Sequence, residues 1–203
     1  GNSYYFEPKS WSEFACHTDR FSKKMLASFK KVMKTRPIKT EPPRMIRKCG
    51  VIEFDFLLDF GSFRDVQRHR AVVQEMPLLT ERFGFEEWYL KQLPAVVKRE
   101  AIKLLKEQKN ATNKLKISKY DRQYYLPMGY KIANEIDGDL KALVWLIELR
   151  ATRFVHPTLR HKVQKMAQIL LKKYSGSGLV LHLDKDADRF DVNRGSHDIV
   201  IKK

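Results

Sequence analysis

Cysteine is scarce in this chain. Cys16 and Cys49 are the only two in 203 residues, too few for a disulfide scaffold or for a zinc site built from three or four thiolates. Two lone thiols fit a reducing compartment. With no apolar N-terminal stretch that reads as a signal, the expectation is a cytoplasmic protein. Apolar runs of about 20 residues, the length a membrane helix needs, are missing too. None of His17, His69, His156, His161, His182 and His197 stands in a metal-binding spacing, so no metal is expected. There is no GxGxxG or P-loop, no serine in a nucleophile elbow, and no alternation of aromatic with basic residues of the RNA-recognition kind.

What is abundant is positive charge: 40 Lys and Arg against 24 Asp and Glu, a formal +16. Such a balance points to anionic partners, whether nucleotides, nucleic acid or an acidic surface. The excess is uneven. Residues 1–50 carry a net +8 and residues 91–120 a net +7, whereas residues 51–90 carry a net −4. A nucleic-acid-binding protein is one reading of the two basic blocks, and solvated helix faces are another.

The 43% apolar content is enough for a core in a chain of this length. Ser10 and Glu13 form a capping-box pattern ahead of Phe14, Phe21, Met25, Leu26, Phe29 and Val32, which predicts a helix over 11–34. Pro37, Pro42 and Pro43 mark a connection. Val51 to Leu58 reads as a strand broken by Gly61-Ser62, with a helical pattern from Phe63. A basic helix is expected from Glu86 to about Lys109 with a boundary or kink at Pro94, then a loop from Ala111 to Ser118. Tyr124 to Tyr130 could be extended. Helices follow over 139–154 and, opened by His156-Pro157, over 157–174. Ser175 to Gly178 ends the last of these, and Leu179 to Leu183 is a strand candidate. The sum is a mixed α/β fold of the α+β kind: a mixed sheet with long packed helices. Its expected organisation is an N-terminal helix and connection over 1–44, a main domain over 45–175 and a C-terminal strand or tail over 176–203.

Two constellations could carry chemistry. In Arg64-Asp65-Val66-Gln67-Arg68-His69-Arg70 a helix would put Arg64 and Arg68 on one face, and guanidinium forks beside a histidine suit phosphate and carboxylate. Glu53, Asp55, Asp59 and Asp65 are close enough in sequence to neutralise part of that charge. In the second, Glu148 to Arg160, Arg150 ends an apolar helix. If buried it needs an anionic partner, for which Glu148 is available, while Arg153 and Arg160 could be solvated.

Together these segments resemble the flavin-dependent thymidylate synthases. Phe60-Gly-Ser-Phe-Arg-Asp-Val-Gln-Arg-His-Arg70 is similar to that family's RHR signature, and closest to the branch with two such domains in tandem. Gln74-Glu75, Leu79 to Phe85, Leu126 to Tyr130, Leu146 to Thr152, and His156-Pro157 with Arg160 fit in the same order, so the resemblance covers about residues 45–173. It implies a homotetramer with active sites between subunits, or pairing with a sister domain. It also implies FAD as cofactor, NADPH and methylene-tetrahydrofolate as co-substrates, and dUMP as the substrate methylated to dTMP. By the same resemblance Arg150 contacts the pyrimidine and is catalytic, His69 and Arg70 bind the flavin, and Arg68, Arg150 and Glu75 bind the nucleotide. Arg64, Gln74, His156 and Arg160 are further candidates. The chain also departs from the pattern. Two serines after the RHR are missing, Asp65 replaces a glutamine, Leu79 or Thr80 replaces a nucleotide-binding arginine, and Trp145 replaces a flavin-contacting Asn or His. A catalytically degenerate structural or regulatory domain is therefore an alternative.

Overall fold

The computed structural model describes residues 11–38 and 40–184. Strand β1 (Phe14–Phe21) is followed by the short helices α1 (Lys23–Ser28) and α2 (Lys30–Thr35) and a 3-10 turn (Arg44–Cys49). Strand β2 (Gly50–Asp59) runs into α3 (Phe60–Val66), and the edge strand β3 (Val73–Glu75) follows. Then come α4 (Glu87–Lys91), α5 (Ala95–Lys114), α6 (Lys119–Arg122), strand β4 (Lys131–Asp139), α7 (Leu140–Arg150) and α8 (Pro157–Tyr174). The strands form one antiparallel sheet in the order β1-β2-β4-β3. The fold is thus α+β, as expected from the sequence, but the sheet is antiparallel throughout rather than mixed, because each described pairing runs in opposite directions.

Alternation decides what the sheet buries. Ile52, Phe54, Phe56 and Ile136 point to one face and are at most 1% exposed. Leu140, Leu143 and Ile147 of α7 and Leu159, Val163, Met166 and Leu170 of α8 recur every three or four residues and close over that face. Each such side chain contributes about 1.5–3 kcal/mol by leaving water. A smaller cluster of Leu79, Leu126, Tyr130 and Ile132, with Phe60, Phe85 and Leu105 against it, anchors α5. Strands β2 and β4 each end in an aspartate that caps the next helix. Asp59 accepts from the Ser62 N–H at 3.0 Å and Asp139 from the Ala142 N–H at 3.0 Å.

Several expectations are corrected. The helix expected over 11–34 is strand β1 followed by two helical turns. Phe14 and Cys16 alternate with Ala15 and His17, and the free edge of β2 offers hydrogen bonds that favour the strand. Ser10 lies outside the described residues, and the cap that forms is Ser22, accepting from the Met25 N–H at 3.1 Å. Gly61-Ser62 does not interrupt the chain but sits in the first turn of α3, because Asp59 caps it. Pro94 separates two helices, and α5 continues to Lys114 through part of the expected loop. The stretch Tyr124 to Tyr130 is a 3-10 turn and a bend with a single bridge, Phe85 to Tyr130. Strands β3 and β4 are additions to the sequence reading. Leu179 to Leu183 is no strand: Leu179, Leu181 and Leu183 pack on the core, and the His182 N–H donates to Glu148 at 2.7 Å. The sequence beyond Asp184 lies outside the described residues. No helix among the described residues is long and apolar enough to cross a membrane.

Candidate functional site

The RHR segment is not helical. α3 stops at Val66, and residues 67–72 form a tight turn back into β3, so Arg64 and Arg68 do not share a helix face. The turn is braced from within: the His69 N–H donates to Val66 O at 2.9 Å and the Val72 N–H to His69 O at 3.2 Å. Gln74 adds two more bonds, its Nε2 donating to Val66 O and His69 O, both at 3.0 Å. A side chain that satisfies two carbonyls of one turn fixes its shape, so Gln74 acts here as a brace.

This turn aims its three basic residues in different directions. Arg68 and Arg70 are exposed, and His69 is half-buried against the end of α7. There Arg150 Nε donates to His69 Nε2 at 2.8 Å, joining residues 81 apart in sequence. Burial, with the Arg150 charge beside it, lowers the His69 pKa to about 4, so at neutral pH the ring is an uncharged acceptor for that bond. Burial also lowers the Arg150 pKa, opposed by the Asp65 carboxylate, with Arg68 acting in the same sense as burial. The terminal nitrogens of Arg150 make no hydrogen bond among the described residues. The result is a guanidinium held by one edge with its fork open, and Arg68 and Asp65 beside it. Next to the turn a cavity of about 390 Å³ is lined by Ala71, Arg44, Arg47, Lys141, Asp139 and Ala142. Arg47 is tied to Asp139 at 2.8 Å and Lys141 to Glu41.

The partner proposed for Arg150 is engaged elsewhere. Glu148 is buried and receives both terminal nitrogens of Arg36, Nη1 at 2.9 Å. Nor are Glu53, Asp55 and Asp59 neutralisers of the RHR. Glu53 and Asp55 lie on the sheet face opposite the core, and Asp59 is fully buried as the cap of α3. Arg153 and Arg160 are not simply solvated. Arg153 makes a two-pronged pair with Asp184 at 2.7 and 2.8 Å, and Arg160, fully buried, donates to Arg153 O at 3.0 Å. Arg160 thereby fixes the bend that follows Arg150.

His156 belongs to a separate network. Its Nδ1 lies 2.8 Å from Thr158 Oγ1 and 3.2 Å from Ser62 Oγ, with Tyr89 stacked on its ring and Trp88 against its edge. Tyr89 donates to Asp59 at 2.9 Å, and burial beside that carboxylate raises its pKa. Half-buried, with Asp59 Oδ1 and Trp88 Nε1 making no hydrogen bond among the described residues, this group ties α3, α4 and α8 together. Glu75 is exposed on β3 opposite Glu135, and Arg64 is exposed on α3. Neither is brought to Arg150 by a described contact. Of the two positions that could stand for the missing nucleotide arginine, Leu79 is buried in the smaller core, leaving Thr80 exposed.

Sequence reasoning missed the Gln74 brace and the Arg36–Glu148 pair. It also missed the acidic outer face of the sheet, although the alternation in Ile132-Ala-Asn-Glu-Ile-Asp137 signalled that face.

No family model matches the chain. It is 31% identical over 115 residues to a UPF0159 protein of Chlamydia pneumoniae, covering 56% of this chain and 21% of that protein. To a UPF0159 protein of Chlamydia muridarum it is 29% identical over 127 residues, covering 62% and 24% respectively. The matched part therefore spans about a fifth to a quarter of the length of these curated relatives.

Proposed function

We propose that this chain is a domain of a flavin-dependent thymidylate synthase of the tandem type, a cytoplasmic enzyme acting in the reductive methylation of dUMP to dTMP with FAD, NADPH and methylene-tetrahydrofolate. The observation that carries the reading is the His69–Arg150 bond. It joins the two segments whose resemblance suggested the family, at a point where cations gather without a full set of anions. The Chlamydia pneumoniae relative adds support: 115 aligned residues are 21% of its length, so it runs to about 550 residues and has room for two such domains.

The residues suit the groups they would meet. The exposed Arg68 and Arg70 forks on a braced turn are suited to the diphosphate of FAD, and the uncharged His69 ring offers a flat face beside them. FAD, once reduced by NADPH, would supply the hydride. Arg150 keeps its fork free because His69 takes only its Nε, and its fixed charge would stabilise negative charge developing on the uracil ring.

The buried Leu79, with Trp145 in place of a flavin-contacting residue, favours a second reading: a domain that keeps the fold and binds nucleotide or a sister domain without turnover. Flavin absorbance after desalting, calorimetric titration with dUMP and tritium release from 5-tritiated dUMP separate the cases. All three are positive for the enzyme, and binding without release indicates the degenerate domain. A colourless protein that takes up neither FAD nor dUMP overturns both readings. Arg150→Ala should weaken dUMP binding at least about tenfold, while Lys172→Ala, on an exposed turn of α8, should leave it unchanged.

A further inference from the structure

By composition the basic block over residues 91–120 fits a nucleic-acid surface or a solvated helix face, and the tertiary structure separates the two. From Lys106 to Arg122 stand six basic residues, Lys106, Lys109, Lys114, Lys116, Lys119 and Arg122, against Glu107 and Asp121. Both carboxylates are engaged elsewhere. Glu107 pairs with Lys103 at 3.8 Å, and Asp121 accepts from the Ser118 hydroxyl at 2.7 Å. The five lysines are all exposed, and none of them makes an ion pair among the described residues.

The same segment folds back and sets aromatic rings among these charges. Arg122 Nη2 donates to Asn113 Oδ1, and Gln108 Nε2 donates to the Tyr125 carbonyl. Gln108 and Asn113 are separated by about 7.5 Å along α5, with Lys109 between them in sequence. Leu126 enters the smaller core. The turn is thus pinned at Arg122 and at Leu126, and the rings between are left outside. Tyr124 is 83% exposed, more than any other large hydrophobic residue described, and Tyr125 is 54% exposed. Neither ring stacks on another ring or on a cation among the described residues. Beside them Lys119 Nζ lies 5.8 Å or less from an aromatic ring, at 5.4 Å from the centre of Tyr120.

We propose that the C-terminal half of α5, with α6 and the turn after it, binds a single strand of nucleic acid. Its bases stack on Tyr124 and Tyr125, and its phosphates are met by Lys106, Lys109, Lys116 and Lys119. Every base has a face that stacks on an aromatic ring, and cations beside the ring follow the backbone. A duplex keeps those faces in its own stack, so protruding rings favour a single strand. An anionic bilayer would also suit the lysines, but seating on one takes a broad apolar helix face, and α5 turns Leu105 inward against the smaller core. The surface shares no described contact with His69 or Arg150, so it stands or falls apart from dUMP binding.

Fluorescence anisotropy of the full chain with a labelled oligo-dT of about 12 nucleotides tests it. With about four phosphates met, log affinity should fall with log salt at a slope of about −3, or about fiftyfold between about 50 and about 200 mM NaCl. A hairpin duplex of similar length should bind at least about tenfold more weakly. Tyr124→Ala with Tyr125→Ala should weaken the single strand at least about tenfold and leave the salt slope unchanged, while Phe at both positions should keep the parent affinity. Lys109→Glu with Lys116→Glu should weaken binding and flatten the slope. These four side chains are exposed, so the variants should melt with the parent protein. Excess dUMP should not displace the oligonucleotide; displacement would assign the binding to the nucleotide site and overturn the proposal. Absence of binding overturns it, as do equal affinity for the duplex and indifference to the tyrosine pair. Capture by phosphatidylglycerol vesicles without oligonucleotide binding would make the surface a membrane contact and also overturn it.

Discussion

Buried charge is resolved residue by residue. Arg36 and Glu148 are both sealed from water and pair through the two terminal nitrogens of Arg36, and Glu148 also takes the His182 N–H. Removing one partner strands the other, so Glu148→Leu should cost about 3–5 kcal/mol in urea unfolding. Arg36→Met combined with Glu148→Leu should recover all but about 1 kcal/mol, the share of the orphaned His182 N–H. This pair also bears on the site. By engaging Glu148 it leaves Arg150, two residues on, to find a neutral partner in His69. A carboxylate in that place would have neutralised the guanidinium, whereas the histidine orients it and leaves its charge available.

Among the elements, the joint between β1 and β2 is the most constrained. Gly50 opens β2 at φ +119°, a left-handed conformation, and a Cβ there would lie 1.8 Å from Arg20 O. Gly50→Ala should therefore destabilise by more than about 2 kcal/mol, adding left-handed strain to overlap with backbone. The loss should register as faster amide exchange along Phe14–Phe21 before the rest of the sheet opens. The helices α7 and α8 were legible in the sequence because each has apolar residues at three- and four-residue spacing along one continuous segment. Strand β1 was not, since Phe14, Phe21, Met25 and Leu26 fit a helical period as well as a strand followed by a turn. β3 is three residues long, and its strand state exists only through its pairing with β4.

For the whole molecule, two groups on opposite sides of the sheet give stability a pH dependence of known sign. Glu135 binds its proton more tightly folded, near 7 against an ordinary 4.5, so stability is lost as pH rises from about 4.5 to 7. His69 binds its proton less tightly folded, near 4 against 6.5, so stability is lost as pH falls from about 6.5 to 4. Thermal midpoints across this range should show Glu135→Gln raising the alkaline limb and leaving pH 4.5 unchanged. A Glu135→Gln protein no more stable than the parent at pH 8 would show that the acidic face carries no repulsion.

The sequence by itself determined the long amphipathic helices, the β2 strand, the boundary at Pro94 and the two segments worth attention, because these follow from local periodicity and residue type. The tertiary structure alone decided which charges meet. It paired Arg36 with Glu148 across 112 residues and Arg150 with His69 across 81, and it gathered the acids of three strands on one face. The +16 total shows none of this: electrostatic energy depends on distances and burial that only the fold sets.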